Sequence, residues 1–99
     1  MSLNRLELSG AVTKVTELRY TPAGIPVLSF DLHHLSEQVE AGMKRKVECV
    51  VPAMVVGPLA MGAQEMEEGS QVSVTGFLAK RSLKSTQLVL HVQTLKKII

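Results

Sequence analysis

The tightest constraint in this chain is a two-residue alternation that begins directly after a turn signal. From residue 27 onward Leu28, Phe30 and Leu32 alternate with Ser29, Asp31 and His33, the pattern of a strand with one buried face. Just before it stands Thr21-Pro22-Ala23-Gly24. Pro22 presets φ for an early turn position, and Gly24 is free to adopt φ > 0. A second strand over residues 27–34, entered from a tight turn, commits this part of the chain to antiparallel β structure.

The same period recurs on both sides. Residues 4–20 read as one long first strand, with Leu6, Leu8, Gly10 and Val12 on one face and Val15 out of phase. A β-bulge accounts for the slip, and Gly10 allows a bend. Residues 35–42 are polar and acidic and end in Ala41-Gly42, which predicts a loop. A third strand covers residues 44–51, and Pro52 closes it. Across residues 53–66, Gly57-Pro58 and Gly62 interrupt the apolar Met54, Val55, Val56, Leu59 and Met61. That predicts a single turn or an irregular crossover. Residues 71–79 and 87–95 alternate as fourth and fifth strands around a basic hairpin loop, residues 80–86, and residues 96–99 are expected to fray. Five strands, a crossover after the third and a bent first strand predict an all-β Greek-key barrel of the OB type, one domain over residues 1–99.

At 99 residues with 45% hydrophobic content the chain can build one small core. Phe30, Phe77 and Tyr20 are its only aromatics, so the core is expected to consist of Val, Leu, Ile and Met. Cys49 is the single cysteine; no intramolecular disulfide can form, and a small buried hydrophobe is the expected role. No signal peptide or membrane-length apolar run is visible, which predicts a soluble cytoplasmic protein with no membrane partner.

Catalytic chemistry needs a constellation that is missing from this pattern. No phosphate-binding Gly loop, nucleophile elbow or zinc spacing is present, so the expectation is a protein that is not an enzyme and has no cofactor and no metal. His33 and His34 are neighbours on a strand, and their side chains point to opposite faces. Charge says more. The formal net charge is only +2, but Lys44, Arg45 and Lys46 form one basic block, and Lys80, Arg81 and Lys84 another. The acids gather elsewhere, at Glu37 and Glu40 and at Glu65, Glu67 and Glu68. A charge block alone is by default a solvated face. On an OB barrel, however, the binding surface is built by the second and third strands with the loops between strands one and two and strands four and five. Arg19 and Tyr20 fall in the first of those loops, Lys44, Arg45 and Lys46 at the start of the third strand, and Lys80, Arg81 and Lys84 in the other loop. Three basic groups at those places predict a surface for single-stranded nucleic acid.

Several short stretches then take on a joint meaning: Asn4-Arg5-Leu6-Glu7-Leu8-Ser9-Gly10-Ala11-Val12, Pro22-Ala23-Gly24-Ile25-Pro26, Phe30-Asp31-Leu32-His33-His34, Glu40-Ala41-Gly42 followed by Lys44-Arg45, Val74-Thr75-Gly76-Phe77, and Leu88-Val89-Leu90-His91. In these the chain resembles, over nearly its whole length, the PriB family of primosomal replication proteins, relatives of the bacterial single-stranded-DNA-binding proteins. The resemblance implies a dimeric OB-fold protein that binds single-stranded DNA in replication restart. It also implies work alongside the PriA helicase and a further primosome loading factor. Carried over by position, the DNA contacts fall on Arg19, on Lys44, Arg45 and Lys46, and on Lys80, Arg81 and Lys84. The homodimer interface falls on the first strand, around Leu6, Leu8, Val12 and Val15. One departure matters: where the family pattern has a base-stacking aromatic before Cys49, this chain has Glu48, and a basic position after the second strand is Leu35. An acid there opens an alternative, a protein-interaction adaptor whose OB surface mainly contacts the helicase, with Tyr20 or Phe77 the available substitutes for stacking.

Overall fold

The alternating strands close on one another in the computed structural model, which describes residues 2–98. In chain order the elements are β1 (Leu6–Thr13), β2 (Arg19–Tyr20), β3 (Pro26–Glu40), β4 (Met43–Val56), α1 (Pro58–Ala63), β5 (Gln71–Lys80) and β6 (Leu88–Lys97). The sheet runs β1-β5-β6-β4-β3-β2, and an additional β1–β3 pairing closes it. The barrel proper is therefore β1, β3, β4, β5 and β6, with β2 a short appendage on β3. The β4–β6 pairing is parallel and the others are antiparallel, so this is the five-stranded OB-fold barrel that the alternation predicts.

The inward faces fill the barrel. Val12, Leu28, Leu32, Val55, Val74 and Leu90 are wholly buried there, and Phe30 is 2% exposed. Ala53, Ala60 and Ala63 complete the cluster. Contrary to expectation, among the described residues no Ile or Met is a buried member of it, and Met66 packs against it only partly buried. Phe30 supplies the bulk, and the alanines let α1 lie close to the strands.

Several boundaries move. The first strand does not run to residue 20: at Lys14 the backbone turns left-handed, φ 52°, and the chain leaves the sheet before β2. The slip at Val15 is thus a break, and the irregularity of the sheet lies instead between Thr75 and Gly76. At Gly10 the demand is close approach, since a Cβ there would lie 2.5 Å from the His33 carbonyl oxygen. The predicted loop at residues 35–42 is strand as far as Glu40, and only Ala41 (φ 52°) and Gly42 (φ 78°) turn. Two successive positive φ values form the turn that suits the twist of a two-residue hairpin.

Pro52 does not close the next strand either. It lies within β4, opposite Asp31, and the parallel ladder to β6 begins only at Ala53. Up to that point β3 is the only neighbour of β4 among the described residues, so an edge position accepts the missing N–H. Gly57-Pro58 starts a helix rather than breaking one. Gly57 is its N-cap, and Pro58 stands in the first turn, where an N–H has no helical partner anyway. Lys96 and Lys97 remain paired, to Ser73 and Val72, rather than frayed; Ile99 lies outside the described residues. Cys49 is exposed, not buried. It sits on the half of the β3–β4 hairpin that projects past the barrel, where inward parity meets no core.

Candidate nucleic-acid interface

Strand parity decides which side chains share the outer face of the long hairpin. Directly opposed residues of antiparallel strands lie on one face. Ser29 faces Met54, Asp31 faces Pro52, His33 faces Val50, Leu35 faces Glu48, Glu37 faces Lys46 and Val39 faces Lys44. Leu28, Phe30 and Leu32, one residue out of step with these, are the core residues. These opposed pairs therefore form one continuous outer strip along β3 and β4.

At its barrel end the strip floors a groove of about 300 Å³. Ser29, Asp31, Pro52 and Met54 come from the two strands, Arg19 from β2, and Lys14 and Arg81 from the flanking loops. Local bonds set these cations in place. Thr16 donates its backbone N–H to the Ser29 carbonyl (2.9 Å) and accepts from the Ser29 N–H on Oγ1 (3.1 Å), tying the Lys14 loop to β3. Arg19 pairs with Val27 in β2, and the turn behind it closes through Gly24 N–H to Thr21 O at 2.8 Å. Arg81 donates its backbone N–H to Gln87 O at 2.9 Å, which closes the opposite loop. Three cations and one carboxylate, Asp31, thus line the groove.

The sequence-predicted residues divide on this map. Arg19 and Arg81 meet at the groove. Lys14 joins them, although in the sequence it falls inside the stretch expected to be one long first strand and carries no signal of its own. Tyr20 is 58% exposed but does not line the groove, and its hydroxyl lies 3.7 Å from Met61 Sδ of α1. Lys80 donates from Nζ to Leu83 O at 3.1 Å, inside its own loop, and neither it nor Lys84 lines the groove. Lys44 and Lys46 lie on the outer strip, but six residues separate Lys46 from Pro52, roughly 20 Å of strand. Arg45 has the opposite parity and pairs with Glu40 at 2.9 Å. Lys44 Nζ is 3.8 Å from Glu37. Signs that are separate in sequence are thus interleaved in space, because the predicted acidic loop is a strand folded back on the basic one.

Between the groove and the basic tip of the hairpin, the arm that carries Lys44, Arg45 and Lys46, the strip holds Glu48, which accepts a 2.8 Å hydrogen bond from His33 Nε2. His34 points to the other face, bonding Ser9 O at 2.7 Å and Ser36 Oγ at 2.8 Å. Across the strip from Ser29 the row continues through Met54 to His91 and Phe77, whose rings stack at 4.9 Å and 6°. One face of the Phe77 ring is therefore taken by His91 of the same chain. On β1, Val12 is wholly enclosed by the core, whereas Leu6 and Leu8, and Val15 just beyond the strand, are partly buried. Val12 consequently has no side-chain surface to offer a second copy, contrary to its expected place in an interface.

Residues 4–94 match a family model described as "Another single-strand binding protein family". The replication restart protein PriB of Nitrosomonas europaea is 41% identical over 91% of this chain and 83% of its own. That of Bordetella pertussis is 41% identical over 97% and 90%. The chain belongs to the PriB family. A solved PriB structure from Ralstonia solanacearum superposes with a TM-score of 0.89 at 31% identity, covering 99% of this chain and 100% of the other. The single-stranded DNA binding protein of Thermus aquaticus, at 22% identity and a TM-score of 0.80 over 98% of this chain and 51% of that one, shares the fold. The PriB scaffold of this chain thus presents a mixed strip: a cationic groove at one end, a carboxylate in the middle and a half-neutralised basic arm beyond.

Proposed function

We propose that this PriB-family protein binds single-stranded DNA along the outer strip of β3 and β4 and acts in replication restart beside the PriA helicase and a further loading factor. The observation that carries the reading is the convergence of Lys14, Arg19 and Arg81 on one groove of the OB face. Among the described residues these three and Lys46 are in no ion pair, so each is available to a phosphate. About 0.7 per phosphate contact on a single strand, over four such cations, gives a slope of log affinity against log salt near −2.8. A fluorescence-anisotropy titration with labelled single-stranded DNA reads it. Replacing Lys14, Arg19 and Arg81 together by Ala leaves a slope near −0.7. A flat wild-type profile, or a triple variant with the wild-type slope, contradicts the reading.

A second reading has its own support. Glu48, with Leu35 65% and Val50 56% exposed on the same strip, suits an adaptor face toward the helicase as well as toward DNA. Helicase stimulation measured with the triple variant separates the two: stimulation that survives intact makes DNA binding secondary. A homodimer through β1 completes the proposal. β1 pairs with β3 only from Ala11 onward, so its first half keeps one edge open for a second copy. Mass measurement tests this, with Leu8→Arg expected to give monomers.

A further inference from the structure

We propose that Glu48 makes this interface selective for bases carrying an exocyclic amine, cytosine over thymine among pyrimidines; the inference rests on the DNA-binding reading above. The carboxylate stands in the middle of the strip, opposite Leu35 and two residues from Val50. Both neighbours are largely exposed, at 65% and 56%. A phosphate is repelled from this position. The backbone of a bound strand therefore follows the cations, Arg19 and Arg81 at one end and Lys46 at the other, and a base is the part left to cover Glu48.

The chemistry of the patch matches a base and not a phosphate. Leu35 and Val50 offer an apolar ledge for the flat face of a ring. Glu48 offers an acceptor at its edge. His33 Nε2 holds one carboxylate oxygen, Oε2, at 2.8 Å, and the other has no hydrogen-bond partner among the described residues. An ionised carboxylate accepts and cannot donate. It takes a hydrogen bond from the N4 amine of cytosine and meets only the O4 lone pairs of thymine. His33 is the positioning residue: its bond limits the rotamers of an otherwise exposed side chain, so the free oxygen keeps one direction.

Anisotropy titrations with labelled oligo-dC and oligo-dT of equal length, at one salt concentration and mildly alkaline pH, test this on the full chain. The wild type should favour dC by roughly three- to tenfold, the worth of one charge-assisted hydrogen bond at an exposed site. Glu48→Gln should bind both strands more tightly, because the repulsion is gone, and bind them equally. A glutamine amide accepts from cytosine N4 and donates to thymine O4. Glu48 is 65% exposed on its side chain, so thermal melting should show the variant folded as the wild type is. Equal wild-type affinities, or a dC preference that persists in Glu48→Gln, overturn the inference. If the wild type binds with the expected salt slope but no base preference, only this inference falls. If it binds neither strand, the DNA-binding reading falls with it.

Discussion

Neutralising Glu37 should strengthen DNA binding, whereas neutralising Glu40 should not, although both acids hold a cation of the same basic block. Glu37 lies on the outer strip, 3.8 Å from Lys44 Nζ and directly opposite Lys46. Glu40 holds Arg45, which has the opposite parity and faces away from the strip. Removing the Glu37 charge frees Lys44 for a phosphate and lifts a repulsion about 5 Å from it. In water that repulsion is about 0.8 kcal/mol, roughly fourfold in affinity at low salt. One more phosphate contact also steepens the salt slope by about 0.7, from near −2.8 to near −3.5. Both pairs are exposed, and losing either costs the fold at most about 0.5 kcal/mol. Stability therefore does not confuse the comparison. Anisotropy titrations of Glu37→Gln and Glu40→Gln between about 50 and 200 mM salt decide it. Equal gains in the two variants, or a gain in Glu40→Gln alone, refute the assignment of faces.

Other consequences are narrower. Leu32→Ala removes a wholly buried side chain from the barrel and should cost about 3 kcal/mol, lowering the melting temperature by more than about 12 °C. Gly10→Ala forces a methyl to within 2.5 Å of the His33 carbonyl and should destabilise by about 2 kcal/mol, read by urea unfolding; a neutral result would mean that β1 and β3 separate more easily than their pairing suggests. Within the loop after β5, Arg81→Ala should weaken DNA binding more than Lys84→Ala, since only Arg81 lines the groove.

Much of this arrangement is legible in the residues, where a core exists to impose a period. Leu28, Phe30 and Leu32, and Val72 and Val74, alternate because each faces the barrel interior, and their strands stand where the alternation predicts. Past the barrel that signal vanishes. Residues 35–40 read as a loop because no core rewards an inward side chain there, yet pairing with β4 holds them as strand. Cys49 misleads for the same reason, having the parity of a buried residue at a place with nothing to be buried in. Pro52 and Gly57-Pro58 look like breakers, and only the missing neighbour on one edge and the start of α1 make them acceptable. For the candidate site, Arg19 and Arg81 could be placed from the fold alone. Lys14 could not, because its direction depends on a positive φ at the end of β1. The weakness of the basic arm was equally hidden, since it follows from the register that lays Glu37 and Glu40 against Lys44 and Arg45.

On the proposed reading, single-stranded DNA lies along the outer strip of β3 and β4 and over the groove of Lys14, Arg19 and Arg81. The most direct test is a map of backbone amide shifts in the nuclear magnetic resonance spectrum as single-stranded DNA is titrated in. The largest changes should fall at residues 14–20, 29–35, 46–54 and 81, with β5 and the arm around Arg45 little changed. Shifts concentrated on β1 and β5, with the groove silent, would contradict it.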